Sequence, residues 1–317
     1  MLIASLFLVL GLIALIKGAD WLVDGASSLA SRLGISPIVI GLTIVSFGTS
    51  APELIVNLVA SLNGNTDIAI GNIIGSNIAN ILLILGVAGC ITPLIVKKNT
   101  AWKEIPFALL ATVIVYVLVS DIALAGRIAN SIDRIDGIVL LAFFIIFLYY
   151  TYGISKAEGE ADTVNTQAIA PSSFKVLGGL VLLIIGGKMA VDGAVDIATA
   201  LGVSQRIIAL TVVAIGTSLP ELLTSAIAAY KKKMDIAIGN VVGSNIFNIF
   251  WILGISSILR PLPFAPANLF DVLIAIGASL LLFFALFIGR RHTLERWQAV
   301  IFIALYIGYL AFLIMSS

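Results

Sequence analysis

The chain contains one long segment twice, in the same order. Shifted by 168 residues, Val23-Asp24-Gly25-Ala26 falls on Val191-Asp192-Gly193-Ala194, and Leu33-Gly34 on Leu201-Gly202. Gly48-Thr49-Ser50 with Pro52-Glu53 falls on Gly216-Thr217-Ser218 with Pro220-Glu221. Asp67 to Asn72 recurs as Asp235 to Asn240, and Gly75-Ser76-Asn77-Ile78 as Gly243-Ser244-Asn245-Ile246. Between Leu42 and Gly86, 25 of 45 positions match their partners without a gap, which chance does not produce. The fold must therefore use one supersecondary unit twice.

Composition decides the medium in which that unit folds. Of 317 residues, 60% are hydrophobic and 11% charged, with a mean hydropathy of +1.15. Soluble domains carry about a quarter charged residues, so the chain reads as an all-α membrane protein. A net charge of +1 gives no footprint for nucleic acid. A single cysteine, Cys90, and a single histidine, His292, argue against an internal disulfide, a thiolate metal cluster and a His-pair metal site.

Crossing about 30 Å of hydrocarbon takes about 20 helical residues. Ten segments meet this: 2–31, 36–62, 66–90, 103–120, 135–152, 174–200, 206–230, 235–259, 268–288 and 297–315. The first has a repeat partner in the sixth, so it reads as part of the fold and not as a signal peptide. Twelve lysines and arginines fall in the odd-numbered loops and four in the even-numbered ones. The positive-inside rule then places the odd loops in the cytoplasm and both termini outside a cell membrane crossed many times.

Five helices per repeat is an odd number, so the two copies lie in opposite orientations. Asn63-Gly64-Asn65 aligns with Lys231-Lys232-Lys233, as expected of one loop used on opposite sides. The expected organisation is a first repeat over 1–152, a polar cytoplasmic linker over 153–172 and an inverted repeat over 173–317. Inverted repeats of this kind mark secondary transporters, with a binding site near the midplane.

Helices two and seven should be interrupted there. Pro52 and Pro220 cannot donate to the carbonyls of Gly48 and Gly216, and a freed carbonyl in hydrocarbon needs a cavity or a partner. Around each break stand Thr49, Ser50 and Glu53, or Thr217, Ser218 and Glu221. One such motif is as readily explained by packing. A glutamate at mid-bilayer costs at least about 2.5 kcal/mol, and two at repeat-related positions favour a functional site. Helices three and eight, also expected to be interrupted, carry small-residue faces (Gly71 and Gly75; Gly239 and Gly243) that let backbones approach. Ser76 and Asn80, like Ser244 and Asn248, are four residues apart on one helical face. Packing without ligation is the simpler reading for Asn72, Asn77, Asn240 and Asn245. Asp20, Asp24, Asp192, Asp196, Lys17 and Lys188 are assigned no role in the site.

This donor set is all oxygen, which suits hard cations such as Ca²⁺. Two carboxylates neutralise one divalent ion or two monovalent ones. Held together in low dielectric they should also bind protons more readily, so Ca²⁺, Na⁺ and H⁺ are expected to compete.

The paired motifs GTSAPE and GTSLPE, each followed by GSNIxN, resemble the α-repeats of the sodium/calcium exchangers within the cation/Ca²⁺ antiporter superfamily. The resemblance covers almost the whole chain. It implies Na⁺-driven Ca²⁺ extrusion, with the first and sixth helices sliding over a fixed core. The implied ligands are Thr49, Ser50, Glu53, Ser76 and Asn80, then Thr217, Ser218, Glu221 and Ser244, with backbone carbonyls at Ser46 and Ala214. Asn248 stands where potassium-dependent members carry Asp, which argues against K⁺ cotransport. An H⁺/Ca²⁺ antiporter and a gated cation channel stay open as alternatives, although the proton-coupled branch has a different acidic motif. An enzyme, an organic cofactor and a protein partner are not expected; the partners are lipid and the transported ions.

Overall fold

The structure is a computed structural model of the chain, and it describes residues 1–126, 128–157, 168–203 and 214–316. Among these, eight helices are long and apolar enough to cross a membrane: Leu2–Leu33, Thr66–Ile91, Lys98–Leu118, Arg134–Ser155, Ile169–Ala200, Met234–Leu259, Asn268–Ala285 and Arg296–Met315. A ninth span is the pair Pro37–Thr49 and Ala51–Asn63, bent by 47°. The helix expected over 206–230 lies partly outside the described residues; its described parts are Ala214–Gly216 and Leu219–Tyr230. The fifth helix runs on to Ala157 and the sixth starts at Ile169. Both flanks of the expected linker are therefore helical.

The second helix is broken as its sequence requires. Ser50 leaves helical geometry (φ −82°, ψ 8°), and Pro52 falls in the first turn of Ala51–Asn63. Proline fits there because first-turn amides have no helical partner. Ser218 (φ −86°, ψ 5°) and Pro220 repeat the arrangement ahead of Leu219–Tyr230.

Helices three and eight differ from expectation. Each runs through as one span, interrupted only by a π-helical stretch, Asn80–Ile84 in one and Phe247–Leu253 in the other. With no proline in these helices no amide donor is lost, and the extra residue is absorbed as a wider turn.

Helices one and six form an antiparallel pair along most of their length. Gly11, Gly18 and Gly25 recur at seven-residue intervals, as do Gly179, Gly186 and Gly193. A Cβ built at Gly11 would lie 2.7 Å from the Gly186 carbonyl oxygen, and one at Gly18 2.8 Å from that of Gly179. Backbone therefore packs on backbone, and no larger side chain fits.

The remaining helices share a second apolar core. An aromatic seam of Phe107, Phe143, Phe144 and Phe147 packs helices four and five on Phe247 and Phe250 of helix eight. Two short antiparallel bridges tie the repeats together, Leu94–Ile95 with Thr293–Leu294 and Ser131–Ile132 with Leu262–Pro263. The first joins the third and ninth loops, the second the fourth and eighth. Each bridge thus links loops that lie on the same side when spans are counted.

Candidate ion-binding site

The breaks in helices two and seven meet at the centre of the bundle, against the polar faces of helices three and eight. The small-residue face of helix eight permits this. A Cβ at Gly239 would stand 3.0 Å from the Gly41 Cα, and one at Gly243 2.5 Å from the Ser46 hydroxyl. A Cβ at Gly71 or Gly75 meets no described atom, so close approach is established here for one repeat.

Glu53 and Glu221 each lie in the first turn of a half-helix and are 1% exposed. Helix N-termini favour negative charge, which helps hold two carboxylates in apolar surroundings. Each carboxylate draws donors from both repeats. Glu53 Oε1 accepts from Ser218 at 3.3 Å and Ser76 at 3.5 Å, while Glu221 Oε1 accepts from Ser50 at 2.9 Å and Ser244 at 3.5 Å. Ser218 also lies 3.2 Å from the Ser76 hydroxyl. Six of the expected residues are thus joined in two crossed sets.

Thr49 and Thr217 turn to the neighbouring helices. Thr49 Oγ1 donates to Asn240 Oδ1 at 2.9 Å, and Thr217 Oγ1 to Asn72 Oδ1 at 3.3 Å. The Ser46 carbonyl accepts the Ser50 amide at 3.0 Å, with Thr49 Oγ1 at 3.3 Å, and the Ser46 hydroxyl donates to the Leu42 carbonyl. Ala214 opens the described part of helix seven.

The two asparagines of the polar stripes are held by asparagines the sequence left to packing. Asn80 Nδ2 donates to Asn245 Oδ1 and Asn248 Nδ2 to Asn77 Oδ1, both at 2.9 Å. Asn77 and Asn245 also donate to each other's backbone carbonyls, at 3.3 and 3.4 Å. Asn240 adds bonds to the Glu221 carbonyl and to Ser225. The signal for this role was present in the repeat, since all four of Asn72, Asn77, Asn240 and Asn245 recur. Single-helix reasoning could not pair them.

Tying down the amide nitrogens leaves the oxygens free. Glu53 Oε2, Glu221 Oε2, Asn80 Oδ1 and Asn248 Oδ1 are all buried, and among the described residues none has a hydrogen-bond partner. A buried acceptor without a donor costs about 1–3 kcal/mol, more if charged. A cation satisfies acceptors that no described donor reaches, and four of them in two repeat-related pairs offer it a set of oxygens.

Three comparisons bear on what such a site serves. The family model described as sodium/calcium exchanger protein matches residues 3–153 and 173–315. The putative antiporter CaxA of Alkalimonas amylolytica is 39% identical over 328 residues, covering 100% of both chains. The sodium/calcium exchanger MaX1 of Methanosarcina acetivorans is 34% identical over 345 residues, covering 97% of each. The solved structure of the sodium-calcium exchanger NCX_Mj, soaked with Na⁺ and Sr²⁺, superposes with a TM-score of 0.84 at 37% identity and covers 98% of both chains.

Proposed function

This chain belongs to the sodium/calcium exchanger family, and from that premise we propose how its parts carry out the exchange. It is a multi-pass membrane antiporter for Na⁺ and Ca²⁺, which are its transported substrates. The ligands we assign are the carboxylates of Glu53 and Glu221, the amide oxygens of Asn80 and Asn248, and the hydroxyls of Ser50, Ser76, Ser218 and Ser244. Thr49, Thr217 and the carbonyls of Ser46 and Ala214 complete the set. The observation that carries this assignment is the group of four buried acceptor oxygens without donors among the described residues.

Ca²⁺ takes six to eight oxygens and Na⁺ fewer. Both draw on the same two carboxylates, so filling the site with one ion expels the other, and that competition couples the fluxes. The halves 1–152 and 173–317 act as the two inverted repeats, joined by the segment 153–172. The odd-numbered loops face the cytoplasm, the termini face outside, and the membrane is that of the cell surface. The protein moves ions and performs no covalent chemistry. Asn248 adds a dipole but no charge to the site, so K⁺ is not a co-substrate.

Proteoliposomes loaded with Na⁺ and diluted into Na⁺-free medium should take up Ca²⁺. Uptake should vanish when an ionophore collapses the Na⁺ gradient. Uptake that ignores Na⁺ but follows a pH gradient would replace this reading with proton antiport. Uptake without any counter-ion gradient would replace it with a channel.

A further inference from the structure

We propose that Lys231, Asp20 and Asp24 form a clamp that locks the first helix to the core at one membrane face and must open once in every transport cycle. Lys231 Nζ lies 2.6 Å from Asp20 Oδ1 and 2.6 Å from Asp24 Oδ1, with the Asp20 carbonyl oxygen at 3.4 Å. These three acceptors match the three donors of an ammonium.

The clamp joins two bodies that differ in their relation to the ions. Lys231 directly follows Leu219–Tyr230, the half-helix that carries Glu221. Asp20 and Asp24 belong to the first helix, whereas the donors described for the carboxylates and asparagines of the site come from helices two, three, seven and eight. That helix is held instead to the sixth by the glycine contacts, backbone on backbone.

The pair also sits off the pseudo-two-fold axis of the repeats. Side chains of the sixth helix cover both broken-helix glycines, Leu180 over Gly48 and Val191 over Gly216. Perfect symmetry would cover Gly48 with Val23, the repeat partner of Val191. The structure is thus one of two asymmetric arrangements, and inverted repeats exchange such arrangements during alternating access.

A contact stabilises one arrangement over the other only if its repeat counterpart is missing, and here it is. The positions equivalent to Asp20, Asp24 and Lys231 are Lys188, Asp192 and Asn63. Lys188 pairs with Asp192 on its own helix at 3.0 Å, its side chain 77% exposed against 24% for Lys231. The chain keeps lysines at the clamp loop despite the conformational cost. Lys232 adopts φ 58° where its repeat partner Gly64 has φ 80°, a region that L residues rarely enter. On the orientation proposed above, the clamp seals the cytoplasmic side.

The test uses the full chain in liposomes, with Cys90→Ser as background and the pair Asp24→Cys and Lys231→Cys. A bis-methanethiosulfonate reagent should bring exchange to background, dithiothreitol should restore it, and a monofunctional reagent should leave it intact. Full exchange by the cross-linked protein would overturn the clamp. Separately, Lys231→Gln should tighten apparent Ca²⁺ affinity about threefold at the cytoplasmic face and weaken it at the other, because a larger fraction of molecules then opens inward. Equal changes at both faces, or none, would also overturn it; the reverse pattern would support the clamp and overturn the orientation. The parent protein in the same vesicles separates the two readings. No Na⁺-driven uptake there defeats the proposed function, whereas normal uptake with indifference to cross-linking defeats only the clamp.

Discussion

Ser50 of the first repeat donates its hydroxyl proton to the Glu221 carboxylate of the second at 2.9 Å. The reciprocal bond, Ser218 to Glu53, measures 3.3 Å. Each carboxylate is therefore oriented by the other repeat's broken helix. Each half of the chain by itself would lack one of the two serine donors to its carboxylate.

Glu53→Gln and Glu221→Gln should each reduce Na⁺-driven Ca²⁺ uptake to background, because one remaining carboxylate cannot neutralise a divalent ion in low dielectric. Tracer uptake at matched expression checks this. Uptake at the parent rate in either variant would remove that residue from the mechanism.

Asn77→Ala and Asn245→Ala should weaken Ca²⁺ affinity by about 10–100-fold, the usual effect of losing a group that orients a ligand. Each removes the acceptor that holds the amide of Asn248 or Asn80, so the free oxygen loses its fixed direction. Ca²⁺ titration of exchange is the measurement, and an unchanged affinity would assign these asparagines to packing.

Exchange should carry charge and ignore K⁺. With Ca²⁺ bound the two carboxylates are neutralised; exchange for one Na⁺ more than the two that balance the carboxylates would put the site at plus one. One charge per cycle feels about 2.3 kcal/mol per 100 mV. Replacing K⁺ by choline at clamped potential should leave the flux unchanged, while changing the potential should alter it. A strict K⁺ requirement contradicts the Asn248 argument, and voltage-insensitive flux contradicts the charge count.

Gly18→Leu should prevent close packing of helices one and six, since its Cβ alone would stand 2.8 Å from the Gly179 carbonyl oxygen. Overpacking typically costs about 1–3 kcal/mol, and rigid backbone on the far side leaves little room to relax. Thermal unfolding in detergent should fall clearly below that of Gly153→Ala, whose Cβ meets nothing within 4 Å. Equal melting of the two variants would mean that the glycine contacts do not set helix spacing.

The clamp should act evenly across ordinary pH. Burial alone would lower the Lys231 ammonium, but hydrogen bonds and charge from Asp20 and Asp24 outweigh it and raise it above its usual value. A raised lysine contributes fully below the unfolded value of about 10.4, and its contribution fades only as pH climbs through the higher folded value. The effect of Lys231→Gln on apparent Ca²⁺ affinity should therefore be the same at pH 6 and pH 9. A loss of the effect by pH 9 would show that the ammonium is not held this way.

The sequence by itself determined the eight described membrane-spanning helices and the bent ninth, the repeat, its inversion and the breaks at Pro52 and Pro220. Each follows from a local or periodic property: twenty apolar residues, an odd helix count, a residue with no amide hydrogen. It also singled out Glu53 and Glu221, since a mid-bilayer carboxylate is costly wherever the chain then runs. Tertiary structure alone decided which groups meet. Asn80 and Asn245 are 165 residues apart, and nothing in either local sequence says that one amide will tie the other down and leave its oxygen free. Helices three and eight run through with a wider π turn where the sequence suggests a break, because their glycines and asparagines, unlike a proline, keep the amide donor. Asp20 and Asp24 are ordinary interfacial carboxylates until the fold sets Lys231 against them. Burial and periodicity act on each residue separately, whereas pairing depends on where two distant backbones come to rest.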